Sequence, residues 1–123
     1  IHEFLGATEY LAKGRCQPVL VERGSSTYHQ HVRWDLCVSM IPAVKALTDI
    51  PIIVDASHGT GRRDIVGPMT LAGIAAGADG FIVEAHINPL ESLSDGDQAI
   101  GLAYYPAIFD KARKIRGIIS GEP

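Results

Sequence analysis

Three groups in this chain carry ionisable side chains in an order that suits catalysis: Asp55-Ala56-Ser57-His58, then Val83-Glu84-Ala85-His86, then Ser94-Asp95. The first two follow directly on apolar runs rich in β-branched residues, Pro51-Ile52-Ile53-Val54 and Gly80-Phe81-Ile82-Val83, which read as strands. Side chains at strand ends sit on the rim of a sheet, where solvent and ligands reach them. An imidazole and two carboxylates on one rim are a donor set for a divalent metal ion.

The individual residues have competing readings. His58, in a loop with Gly59 and Gly61 and close to Asp55, reads as a ligand in preference to a structural histidine. Glu84, at a strand terminus, must be paired or metal-bound if buried. Asp95 has two local readings, a ligand or the N-cap of the final helix. His86 alternates with Glu84 and reads as a supporting partner or a further ligand. Arg23 ends the run Pro18-Val19-Leu20-Val21-Glu22. Its guanidinium is either an anion clamp or half of an ion pair with Glu22, and Gly24 would let a ligand approach the backbone. Arg62 and Arg63 precede a helix start, where basic residues oppose the macrodipole. That points to a phosphate held at the helix end or to contact with another subunit. His29 and His31 lie in a polar loop and read as solvated. The two cysteines, Cys16 and Cys37, are too few and too far apart for a disulfide framework or a zinc knuckle, and read as reduced thiols.

The elements that must position these residues alternate. Ile1, Phe4, Leu5, Thr8 and Leu11 recur at helical spacing, and Gly14 ends that helix. A strand is expected over 18–21, a polar loop over 25–33, and a helical stripe through Leu36, Met40, Ile41, Val44 and Leu47, regular only from about Pro42. A strand over 51–54, a polar glycine-rich loop over 55–63 and a helix over 68–76 follow, with Gly77 at its C′ position. The last strand spans 81–83, a long loop carries 86–95, and the final helix presents Ile108, Phe109, Ala112 and Ile115 on one face with Pro106 in its first turn. Continuous apolar strands separated by helices predict an α/β fold with a parallel, helix-covered sheet, whose ligands bind at the carboxyl ends of the strands. An eight-stranded barrel needs about 250 residues, so the chain reads as one partial-barrel domain over 1–123, about three β/α units, starting in the helix before the sixth strand. Its outer strands would each lack a neighbour, which predicts self-association or a partner segment.

With 46% hydrophobic and 20% charged residues the chain is globular in composition. A net charge of −3 gives no basic stripe for nucleic acid or an anionic membrane. No apolar run approaches the roughly 20 residues that span a bilayer, and no signal-peptide pattern opens the chain, so the cytoplasm is the expected location. The sequence opens on Ile1 with a helix already in progress and closes on the plain tail Gly121-Glu122-Pro123, and is expected to be a piece of something longer.

Taken in order, Val21-Glu22-Arg23-Gly24, Val54-Asp55-Ala56-Ser57-His58-Gly59-Thr60-Gly61-Arg62-Arg63, Ala75-Ala76-Gly77-Ala78-Asp79-Gly80, Val83-Glu84-Ala85-His86 and Leu93-Ser94-Asp95-Gly96-Asp97-Gln98 resemble the 3-deoxy-D-arabino-heptulosonate 7-phosphate (DAHP) synthases. The branch is the one that also resembles 3-deoxy-D-manno-octulosonate 8-phosphate synthase, and the resemblance runs over about 3–114. It implies the C-terminal part of a (β/α)8 barrel and a transferase of the shikimate pathway to aromatic amino acids, which condenses phosphoenolpyruvate with erythrose 4-phosphate. It also implies a divalent metal held by Cys, His, Glu and Asp, the last three matching His58, Glu84 and Asp95 as catalytic residues. Arg23 matches an arginine that binds phosphoenolpyruvate. Asp55 is then expected to orient His58 or a bound hydroxyl, and Arg62 and Arg63 to contact substrate.

This sequence also departs from the family. The metal-binding cysteine belongs to the first strand, and neither Cys16 nor Cys37 matches it. Ser25-Ser26 stands where the branch often carries another arginine, and the loop before Trp34-Asp35 is short, which leaves room for a different aldehyde. The chain alone is expected to be inactive and to need an N-terminal segment or a homo-oligomer. The alternatives are the octulosonate enzyme, against which the Ser57-to-Arg63 motif speaks, and a non-catalytic, partner-binding remnant of the barrel.

Overall fold

The β-branched runs pair with one another as parallel strands in a computed structural model that describes residues 1–14 and 16–121. β1 (Leu20–Glu22), β2 (Ile52–Asp55) and β3 (Gly80–Ile82) form a three-stranded sheet in the order β1-β2-β3. Its register sets Val21 against Ile53 and Val54 against Phe81. Helix α1 (His2–Lys13) precedes the sheet, α2 (Met40–Lys45) joins β1 to β2, α3 (Ala56–Thr60) and α4 (Arg63–Ala75) join β2 to β3, and α5 (Tyr105–Ser120) closes the chain. The α/β class expected from the pattern is the one observed. Glu122 and Pro123 of the expected tail lie outside the described residues.

The core forms where these elements meet. Ile41 and Val44 of α2, Ile52 and Val54 of β2, Val66 and Ile74 of α4, and Ile108 and Ala112 of α5 are all buried. Each large aliphatic side chain among them contributes about 1.5–3 kcal/mol by leaving water. Helix α4 lies close on the sheet because Gly73 has no side chain: a Cβ there would come within 2.7 Å of Val54. The helix then stops as Gly77 predicts. The Gly77 N–H donates to the Ile74 carbonyl (2.9 Å) and the Ala78 N–H to the Gly73 carbonyl (3.1 Å), a Schellman end that hands the chain to β3.

Several expectations are revised. Helix α4 starts at Arg63, ahead of the expected 68–76, and carries Pro68 inside it. The stripe Val66, Thr70 and Ile74 is buried, and its burial outweighs the one backbone bond that proline removes. The glycine-rich segment after β2 is not a plain loop, because Asp55 caps a short helix there. β1 and β2 begin slightly later than the apolar runs, so Glu22 and Asp55 are their last residues, whereas β3 starts and ends one residue earlier than the expected 81–83 and leaves Glu84 two residues past its end. Leu47 and Phe109, expected in apolar stripes, are 59% and 48% exposed. The long loop after β3 holds a second parallel pair, β4 (Ala85–His86) with β5 (Ile100–Gly101). Among the described residues no helix is long and apolar enough to cross a membrane.

Candidate metal centre

The carboxyl ends of β1, β2 and β3 bring Glu22, Asp55 and Glu84 to one rim, and the three do different work. Glu22 is buried, and its Oε1 accepts from the Gly24 N–H (3.0 Å) and the Cys37 N–H (3.1 Å). It therefore straps the loop after β1. Arg23 does not pair with it: the Arg23 Nε lies 3.5 Å from Asp55 Oδ2 on a side chain 62% exposed. Gly24 adopts φ 91°, and a Cβ there would come within 2.8 Å of Trp34 and 3.1 Å of Gly59. Packing accounts for this glycine, where the sequence alone suggests ligand access.

Asp55 holds His58 twice. Its Oδ1 accepts the His58 backbone N–H (3.0 Å), which caps α3, and its Oδ2 accepts from the imidazole Nδ1 (2.8 Å). Since an ionised carboxylate only accepts, the network assigns the ring proton to Nδ1. Nε2 then faces the rim with its lone pair, 3.9 Å from Asp95 Oδ2. His58, Glu84 and Asp95 each offer a donor atom within 4.8 Å of the others. Ligands at about 2.0–2.2 Å from a common ion lie up to about 4.4 Å apart, so a small side-chain movement closes the set. A carboxylate behind the histidine is the usual support for a metal-bound imidazole. The donors fit a divalent ion in number and chemistry, and in spacing once that movement is made.

Glu84 is fixed by a residue from a different motif, and Asp95 by residues of its own turn. The Glu84 N–H donates to the Ser57 Oγ (2.9 Å), a fully buried hydroxyl of α3. Asp95 adopts φ 55°, the one described residue other than glycine with positive φ. Its Oδ1 accepts from the Gln98 side-chain amide (2.9 Å), and its carbonyl accepts from the Gln98 and Ala99 N–H groups (3.1 and 3.0 Å). Asp95 is not the cap of the final helix, which starts at Tyr105.

The remaining candidates lie apart from this cluster. His86 turns to Asn88, with its Nδ1 2.7 Å from the Asn88 carbonyl oxygen and 3.1 Å from the Asn88 nitrogen. Arg62 directs Nε and Nη2 at Asp64 (3.1 and 2.6 Å) and Nη1 at the His31 carbonyl (3.0 Å). The Asp64 hydrogen bond raises the Arg62 pKa, and the same bond lowers that of Asp64. Arg63 donates from Nε to the Ala99 carbonyl (2.7 Å) and from Nη2 to that of Gly96. The cysteines are free thiols, as expected, and His29 and His31 are exposed. Beside His58 opens a cavity of about 420 Å³, walled by Arg23, Ser25, Arg33 and Trp34.

A parallel sheet with helices between its strands, and a histidine and two carboxylates gathered beyond its carboxyl end, defines an α/β protein. Comparison with known proteins then places it: residues 1–116 match the model of the DAHP synthetase I family, and the chain belongs to that family. Over 116 residues it is 40% identical to the phospho-2-dehydro-3-deoxyheptonate aldolase of Thermotoga maritima, covering 94% of this chain and 34% of that protein. The crystal structure of the Thermotoga maritima DAHP synthase matches with a TM-score of 0.89 at 37% identity, over 95% of this chain and 35% of that one. A 2-dehydro-3-deoxyphosphooctonate aldolase of Geobacter sp. (strain M21) is 32% identical, over 83% of this chain and 40% of its own length. The heptulosonate family is the better match, and the chain spans 34% of the length of the Thermotoga relative.

Proposed function

We propose that this chain is the C-terminal part of a (β/α)8 barrel that condenses phosphoenolpyruvate with erythrose 4-phosphate, with His58, Glu84 and Asp95 as ligands of a divalent metal ion. The observation that carries this reading is the convergence of those three donors within 4.8 Å, with the far side of the imidazole held by Asp55. A bound ion supplies Lewis acidity to the sugar aldehyde. Asp55 keeps the His58 ring in one tautomer and one orientation, and draws the Arg23 guanidinium to the same rim (3.5 Å). Arg23, mostly exposed beside the cavity, offers its remaining N–H groups to the carboxylate or phosphate of phosphoenolpyruvate. Arg62 stays paired with Asp64 apart from the three donors and can meet substrate only from that pair, and Arg63 acts through the loop it holds. The family likeness implies a cysteine ligand and further substrate contacts outside residues 1–123, so this chain alone is inactive. The working protein completes the barrel with an N-terminal segment or a second copy, in the cytoplasm.

The test is phosphate release by the full-length protein. Erythrose 4-phosphate should be preferred over arabinose 5-phosphate, and His58→Ala should abolish both turnover and Mn²⁺ binding while the fold persists by circular dichroism. Retained metal in His58→Ala overturns the ligand assignment, and steady turnover by the 123-residue chain overturns the partial-barrel reading.

A further inference from the structure

Asp95 is held by a device that joins Gln98 of its own motif to Arg63 of a motif far away in the chain. It sits at φ 55°, a left-handed conformation that aspartate tolerates better than most residues with a Cβ, and the contacts around it fix the turn. Arg63, at the start of α4, reaches across to the loop three times. Its backbone N–H donates to the Asp97 carbonyl (3.0 Å), its Nε to that of Ala99 (2.7 Å) and its Nη2 to that of Gly96. Gln98, only 3% exposed, then directs its side-chain amide at Asp95 Oδ1 (2.9 Å), which leaves Oδ2 facing His58 Nε2 at 3.9 Å.

We infer that Arg63 and Gln98 are positioning residues that set the metal affinity of the centre: Arg63 locks the turn and Gln98 locks the carboxylate. The inference rests on the proposed metal site and assigns Arg63 a role other than the phosphate contact expected from its place before a helix. The chemistry of the Gln98 contact supports it. An amide fixes one carboxylate oxygen without neutralising the charge, so the other oxygen keeps its attraction for a cation. A lysine or arginine at that place would compete with the ion. Arg63, for its part, meets carbonyl oxygens and stays clear of the Asp95 carboxylate.

The experiment is Mn²⁺ titration of the full-length protein, followed by the electron paramagnetic resonance of the bound ion, with Mn²⁺ alone as the probe. Gln98→Met keeps side-chain length and burial but loses the amide, and should weaken Mn²⁺ binding about 10- to 100-fold. Arg63→Lys keeps the charge but not the two-carbonyl fork, and should weaken it in the same direction. Both should alter the resonance of bound Mn²⁺ while the melting temperature stays near that of the parent. Unchanged Mn²⁺ affinity in either folded variant overturns the inference. So does a loss of affinity that only tracks global unfolding in both, since the pair would then be structural alone. If the parent protein itself fails to bind Mn²⁺, the metal reading falls and the inference with it, and the parent titration distinguishes that case from the others.

Discussion

The two ends of the sheet treat an aspartate in opposite ways. At the amino end Asp79 takes the Lys45 ammonium at 2.6 Å, the Ile52 N–H at 3.0 Å and the Arg116 guanidinium at 3.7 Å. At the carboxyl end Asp95 takes a neutral amide on one oxygen and leaves the other toward an imidazole and solvent. Partial burial pushes the Asp79 carboxyl up, but the Lys45 hydrogen bond, the Ile52 amide and the two cations outweigh it, and the group lies below the ordinary carboxylate range. A carboxylate saturated by cations of its own chain is a fastening between α2, the sheet and α5. One given a neutral donor and an open side still has charge to offer. In parallel α/β folds this is the division between a face that stabilises and a face that reacts.

Three substitutions sharpen or break that contrast. The largest effect is expected for Asp55→Asn. Asparagine still caps α3, but the carboxylate behind His58 is gone, so Mn²⁺ affinity of the full-length protein should fall about 10- to 100-fold by titration with little change in melting. Asp79→Ala should do the reverse. Metal affinity should hold while chemical denaturation shows a loss of about 1–3 kcal/mol, because the Ile52 N–H loses its acceptor. A matching loss of metal affinity there would erase the contrast. The sign of the pH dependence follows from the lowered Asp79 pKa. The unfolded chain takes up the proton first as pH falls, so the Asp79 contribution is complete above the unfolded value and disappears as pH drops through the lower folded value. The stability gap between parent and Asp79→Ala should therefore narrow as pH falls, down to what the Ile52 N–H still gains from the neutral carboxyl. The smallest effect belongs to Asp64→Asn. The Arg62–Asp64 pair is exposed, and its removal should leave the melting temperature unchanged at physiological salt.

Much of this arrangement is legible from local pattern, and the rest depends on contacts that pattern does not encode. β-branched runs, the helical stripes and Gly77 announce the alternation of strands and helices, and polar residues directly after Val54 and Val83 announce the rim. Helix α3 escapes because Gly59 and Gly61 read as loop, while the Asp55 carboxylate supplies the cap that starts a helix. The start of α4 escapes because Arg62, Arg63 and Pro68 argue against helix locally, and the burial of Val66 decides otherwise. Glu22 reads as half of a surface pair, yet its partners are the N–H of Gly24 and that of Cys37, far along the chain. The grip of Arg63 on the Asp95 loop is equally remote in sequence, so residue type alone suggests an anion site there.

Trp34 is the chain's single tryptophan, is 39% exposed, and stands in the wall of the cavity that Arg23 and His58 also line. Its intrinsic fluorescence is therefore a local signal from that cavity, undiluted by indoles elsewhere in these residues. Occupancy of that cavity by an anion or a quenching ion can be followed optically without adding any label.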